Sequence, residues 1–192
     1  MSNFSETVKS LVPYFDDLER RHDAVLLLSR HIVRLCAKAI KEIHTEEKDA
    51  LLGTLGEIEA KINEMKAVDQ GFENISEHCY QEYAEIKCFL AISEQAEIPS
   101  HADLAIPPAA YLCGVADCVG ELKRALQIAL KDGEGQKAEY FFQRMSDIYD
   151  NIMVVKYSSA LVGPLKQKQD MVRSSLDHAR TELLMARIVQ KG

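Results

Sequence analysis

The sequence predicts an all-α, single-domain bundle of about six to seven helices over residues 1–192. Apolar residues recur at three- and four-residue spacing along most of the chain. Alternating apolar and polar runs bounded by turns are scarce. Only nine Gly and five Pro punctuate the 192 residues, too few for a chain of many short strands.

The first helix is expected from about Glu6 to His44, with a bend near Pro13. Leu28, Ile32, Leu35, Cys36, Ala39 and Ile43 share one face of it. A second helix spans about Glu46–Val68, with Leu51, Leu52, Leu55, Ile58 and Ile62 inward. Gly53 and Gly56 weaken its pattern. A third runs from about Phe72 to Ser93. Pro99, Pro107 and Pro108 mark Glu94–Pro108 as a loop, and a fourth helix starts near Pro107 and ends near Lys131. Asp132-Gly133 reads as a helix–helix turn, because both flanks are helical. A fifth helix covers about Gln136–Val155. Gly163-Pro164 breaks the chain, and the last helix runs to about Gln190.

Charge and cysteine usage bound the function. Lys plus Arg is 23 and Asp plus Glu is 30, a net charge of −7, so a generally basic nucleic-acid glove is excluded. Any such binding must come from a local basic face. The five cysteines form no CxxC, and an odd count argues against a disulfide scaffold. The longest uncharged run, Leu104–Ala116, holds 13 residues and two prolines, too short for a membrane span. The expectation is a soluble, cytoplasmic protein with no membrane partner. No phosphate-cradling glycine loop occurs, and the lone ExxH, Glu19-Arg-Arg-His22, lacks the second copy that a di-iron bundle needs.

Two carboxylate pairs stand out. Glu82 and Glu85 are three apart, and Asp117 and Glu121 are four apart, so each pair shares a helical face. Ala110, Gly114 and Gly120 lie on the second face and would let another helix or a substrate backbone come close. Asp117 interrupts a run, Ala109–Leu122, in which Glu121 is the only other charge. A carboxylate in such a run needs a cation, a proton or strong donors. Four acids from two helices suit a hard divalent ion, Mg²⁺ or Mn²⁺. Two plainer readings stand beside this one: Glu82 and Glu85 as a solvated face, and Asp117 paired with Arg124 two turns along. His31 and His78 read as surface or satisfied histidines, and the cysteines near the acids as small packing residues.

Arg30, Arg34, Lys38 and Lys41 fall within about 80° on an ideal helix, opposite the apolar face, with Arg20 on the same side. Lys166, Arg173, Arg180 and Arg187 repeat every seven residues in the last helix. Such rows can track a phosphate backbone, or they can be solvated faces with intrahelical pairs. No aromatic residue interleaves either row, so base stacking is not favoured.

Gln81-Glu-Tyr-Ala-Glu85 followed by Tyr111-Leu-Cys-Gly-Val-Ala-Asp-Cys-Val-Gly-Glu-Leu-Lys-Arg124 resembles the translin family, and the Trax (translin-associated factor X) branch more closely than translin. Leu-Ser-Arg-His-Ile at 28–32 resembles the family's opening helix; the stretch from Asp150 to Lys168 and the final helix match more loosely. The resemblance implies an all-α subunit that assembles into a closed, octamer-like homo-oligomer binding RNA or single-stranded DNA. It also implies Mg²⁺-dependent endoribonuclease activity, with Mn²⁺ as an alternative ion. Glu82, Glu85 and Asp117 match the family's catalytic acids, with Glu121 as a neighbouring metal ligand. Arg20, Arg30, Arg34, Lys38 and Lys41 would hold the nucleic acid. The long polar insertion of eukaryotic Trax before the fourth helix is missing, which fits a compact homologue of prokaryotic or archaeal type. The competing expectations are a non-catalytic nucleic-acid-binding shell and a helical adaptor for a partner protein.

Overall fold

The computed structural model describes residues 2–189. The expected end of the last helix near Gln190 lies outside the described residues. Seven helices form, in the order α1 (Ser2–His44), α2 (Lys48–Val68), α3 (Glu73–Ser93), α4 (Pro108–Lys131), α5 (Gly135–Ile152), α6 (Ser159–Val162) and α7 (Leu165–Val189), with no strand among the described residues. Helix α4 is the hub and packs on α3, α5 and α7, while α1 packs on α2 and α3. The composition of α4 explains its place: eleven of its residues are buried, among them Ala110, Cys113, Gly114, Ala116, Cys118 and Ala125, which are small enough for helices to close on several sides.

The apolar faces read from the sequence are the buried ones, with one exception. Ile32, Leu35, Cys36, Ala39 and Ile43 line the core from α1, and Leu28 packs against it half-buried. On α2 the inward row is Leu51, Leu55, Ile58, Ile62 and Met65, joined by Thr54, whereas Leu52 points to solvent and is 70% exposed. Leu52 is one residue off the 3/4 row that Leu51, Leu55, Ile58 and Ile62 form, so burying that row turns it away.

The helix ends depart most from expectation. Helix α1 runs through Pro13 to Ser2 rather than starting near Glu6. It stops at His44 because Glu46 takes a left-handed conformation, φ 57°. The Glu47 amide then reaches the Glu42 carbonyl at 3.0 Å and the Glu46 amide the Ile43 carbonyl at 3.3 Å. The same closure ends α3 at Gln95, φ 56°, and α4 at Gly133, φ 78°. Helix α5 stops at Ile152, not near Val155. The buried Gln169 side chain of α7 donates from Nε2 to the Ile152 carbonyl at 2.7 Å and to the Val155 carbonyl at 3.0 Å, capping the chain from outside. The short α6 before Gly163 has no counterpart in the sequence reading.

The start of α1 leaves the body. Every side chain from Asn3 to Asp17 is exposed, and Phe4, Val8, Leu11 and Phe15 repeat at 4-3-4 spacing on this arm, each between 46% and 75% exposed. No described helix is long and apolar enough to cross a membrane. All five cysteines are buried and free, as packing residues.

Candidate functional site

The two carboxylate pairs face each other across the α3/α4 contact. Gly114 sets the distance: a Cβ there would lie 2.4 Å from the Gln81 carbonyl oxygen, 2.7 Å from the Ala84 Cβ and 3.1 Å from the Glu85 amide nitrogen. The backbones of the two helices therefore touch one turn before Asp117 and directly beside Glu82 and Glu85. Ala110 is buried in the same seam. Gly120, by contrast, is exposed with nothing within 4 Å of a Cβ, so it belongs to no close approach.

The acids feel one another. Burial pushes the Glu85 carboxyl up to about 8, and the negative charges of Glu82, Asp117 and Glu121 add to it. Burial also raises Glu82; His78 pulls it back, and Asp117 and Glu121 push it up again. The cluster is sheltered without being sealed: the side chains of Glu82, Asp117 and Glu121 keep 27%, 26% and 23% of their exposure. That is enough for a ligand to reach them from solvent. A cleft of about 770 Å³ where α1, α3 and α4 finish includes His44 but none of the four acids.

Two partners were not legible in the sequence. Lys168, on the first turns of α7, donates from Nζ to both oxygens of Asp117, at 2.6 Å for Oδ1. His44, at the end of α1 and 5% exposed, lies with Nε2 2.6 Å from Glu121 Oε2 and packs its ring on Phe89 at 4.9 Å between centroids. The expected Asp117–Arg124 pair does not form. Arg124 sits 3.9 Å from Glu121 instead, because Lys168 already occupies both Asp117 oxygens. The solvated-face reading of Glu82 and Glu85 also fails, since both are part-buried at the helix contact. His78 is a satisfied surface histidine, 3.6 Å from Glu82, and His31 is another, 3.2 Å from Glu57.

The donor chemistry fits a hard divalent ion, since all four acids offer oxygen. The arrangement as it stands does not: among the described residues no group of three or more His, Cys, Asp or Glu is gathered to hold an ion. The cause is local. Asp117 is turned onto Lys168, Glu121 onto His44, and Glu82 lies beside His78.

The two basic rows differ. In α7 the cations are matched: Lys166 with Asp170 at 3.0 Å, Arg180 with Asp177 at 2.9 Å and Arg187 with Glu139 at 2.6 Å, while Arg173 reaches Tyr149. That row is a paired, solvated face. In α1, Arg20 is tied to Asp17, and Lys38 lies 3.5 Å from the buried Glu42, whose other oxygen has no hydrogen-bond partner. Arg30, Arg34 and Lys41 are exposed and make no ion pair among the described residues. Lys41 is one turn before His44, so this row runs toward the acid cluster.

No family model matches the chain. The Methanocaldococcus jannaschii protein called Uncharacterized protein MJ0175 is 31% identical over 178 residues, 91% of this chain and 80% of that protein. Among solved structures, AfC3PO bound to duplex RNA superposes with a TM-score of 0.87 at 24% identity, covering 97% of this chain and 99% of that one. The crystal structure of AfC3PO alone gives the same score and identity over 97% and 100%. Apo-NeC3PO gives 0.87 at 18% identity over 93% and 96%. The fold is thus the all-α fold of C3PO, a translin/Trax-type complex, and the chain belongs to the family of the M. jannaschii protein MJ0175.

Proposed function

We propose that this chain is an RNA-binding protein of the translin/Trax type, and that it is a Mg²⁺-dependent endoribonuclease of the Trax branch acting inside a homo-oligomeric shell. The observation that carries the proposal is the convergence of Glu82, Glu85, Asp117 and Glu121 at one helix contact, part-buried and electrostatically coupled. Burial and the neighbouring acids raise both Glu82 and Glu85, an arrangement from which a merely structural bundle gains nothing. The fold likeness to AfC3PO, a protein seen with duplex RNA, supports the substrate class.

Bound by these oxygens, a divalent ion would supply a Lewis acid for a phosphoryl oxygen and an activated water. The chain supplies the rest. Gly114 holds the α3 acids against the α4 acids. His44 fixes the direction of Glu121. Arg30, Arg34 and Lys41 grip backbone phosphates and position the strand without reading its sequence. The exposed apolar arm of α1 seats copies of the chain on one another, and 4-3-4 spacing suits helix-on-helix packing. Subunits arranged with the α1 rows inward reconcile a net charge of −7 with an RNA-binding interior.

Cleavage of labelled RNA tests the proposal. Wild type is expected to cleave with Mg²⁺ or Mn²⁺ and to stop in EDTA. Asp117→Asn, which keeps shape and loses charge, is expected to lose at least about 100-fold in rate, the order of a lost electrostatic contribution to a transition state. Unchanged cleavage by Asp117→Asn defeats the enzymatic assignment. The RNA row has its own measurement. Arg30→Ala, Arg34→Ala and Lys41→Ala together should lower the slope of log affinity against log salt by about 2 to 3, close to one per lost phosphate contact. An unaltered slope moves the RNA path elsewhere.

A second reading is favoured by one specific observation. Both Asp117 oxygens are engaged by Lys168, and no metal-holding group is gathered among the described residues. A non-catalytic RNA- or single-stranded-DNA-binding shell needs nothing more. It predicts RNA binding with the same salt slope and no cleavage with any divalent ion.

A further inference from the structure

Lys168 is placed to do more than neutralise a surface acid. It is 17% exposed, and its ammonium contacts both oxygens of Asp117. Its charge also acts on Glu82 and Glu85, so it is the cation shared by three of the four acids. The backbone fixes it there. Gly163, φ 55°, and Pro164 turn the chain from α6 into α7, and the Lys168 amide bonds the Pro164 carbonyl at 3.2 Å. Residue 162 is tied to α4 through Cys113, whose Sγ donates to the Val162 carbonyl at 3.8 Å. The start of α7 is thereby held over Asp117, and a lysine on its second turn reaches the carboxylate.

We propose that Lys168 is a tethered counter-cation that occupies the acid cluster in the absence of metal and must be displaced from Asp117 before a divalent ion binds. The proposal rests on the metal-site reading given above. An ammonium and a divalent ion compete for the same oxygens, so the lysine sets the affinity of the site for metal. It also offsets the repulsion among Glu82, Glu85 and Asp117 when no metal is present. Removing it exchanges one property for the other: the empty cluster is less stable, and the affinity for metal rises. The displaced ammonium remains on its four-carbon stem beside the site, free to meet an anion.

Calorimetric titration of the full chain with Mn²⁺ tests this directly. Lys168→Met is expected to bind Mn²⁺ about ten-fold more tightly than wild type, the effect of one nearby positive charge removed at a partly solvated site. Lys168→Arg, which keeps the charge, is expected to stay within a few-fold of wild type. Melting supplies a readout independent of binding isotherms: Lys168→Met should melt below wild type in EDTA, and the gap should close or invert in saturating Mg²⁺. Lys168→Gln serves the same comparison where Lys168→Met does not fold. Equal or weaker Mn²⁺ binding by the neutral variants overturns the counter-cation role and leaves the metal site standing. Absence of binding by wild type and every variant at millimolar Mn²⁺ removes the metal site itself, and this role with it.

Discussion

Gly114→Ala is expected to be the most damaging one-methyl change in the chain. Its Cβ would sit 2.4 Å from the Gln81 carbonyl oxygen and 2.7 Å from the Ala84 Cβ, distances that no real pair of such atoms tolerates. Two of the three obstacles, Gln81 O and Glu85 N, are backbone, so no rotamer change relieves them. Helix α3 must move away from α4, and the core on both sides opens. Overpacking of this kind costs about 1–3 kcal/mol or more. The better helix propensity of alanine returns at most about 1 kcal/mol. A net loss of about 2 kcal/mol lowers the melting temperature by roughly 4–8 °C for a domain of this size. Gly120→Ala is the internal control. Nothing lies within 4 Å of its Cβ, so the propensity gain is unopposed and the melting temperature should hold or rise. The two thermal melts, read by circular dichroism, decide the point. Gly114→Ala melting at or above wild type would mean that α3 and α4 do not touch there. The same shift would separate Glu85 from Asp117, so RNA cleavage should fall with stability in Gly114→Ala and stay intact in Gly120→Ala.

Gly114 also shows what the sequence could reveal. A small residue three positions before Asp117 signals close approach, and the 3/4 spacing of the acids signals a shared face. Both are local signals, and both survive in the structure. Helix identity was legible for the same reason, because burial follows periodicity within one element. The ends were not. Glu46 and Gln95 close α1 and α3 in the left-handed region without being glycine, whereas Gly133 at the end of α4 carries the usual mark. The end of α5 is set by Gln169, more than a dozen residues further on. The partners of the acids were hidden by distance along the chain. Lys168 is 51 residues from Asp117 and His44 is 77 from Glu121. The nearer candidate, Arg124, fits the helical spacing and loses to a lysine that tertiary packing delivers to both oxygens. Similarly, the two basic rows look alike as sequence. Only the fold separates the paired row on α7 from Arg30, Arg34 and Lys41 on α1, which make no ion pair among the described residues.

Glu85→Gln is expected to abolish cleavage and, without metal, to stabilise the fold at alkaline pH. These opposite effects have one cause. Glu85 is pushed up to about 8 by burial first and by Glu82, Asp117 and Glu121 next, so near neutrality it holds its proton in the folded chain. In the unfolded chain it ionises as an ordinary glutamate, near 4.5. The native state therefore binds the extra proton between these limits, and stability falls as pH rises from about 4.5 to about 8. Below that window Glu85 costs nothing, and above it the folded chain carries the full burden of a part-buried anion among anions. Screening by solvent and by Lys168 keeps that burden on the order of a few kcal/mol. Glutamine has the shape without the titration. In EDTA, Glu85→Gln should match wild type in stability near pH 4.5 and exceed it increasingly up to pH 8, by urea denaturation at each pH. Saturating Mg²⁺ should reverse the order, because an ion held by the ionised carboxylate stabilises wild type and has one ligand fewer in the variant. The variant should also lose at least about 100-fold in RNA cleavage. A pH-independent difference between the two chains would mean that Glu85 is solvated and apart from the other acids. Full cleavage by Glu85→Gln would show that the proton-bearing carboxyl at the α3/α4 contact has no part in the chemistry.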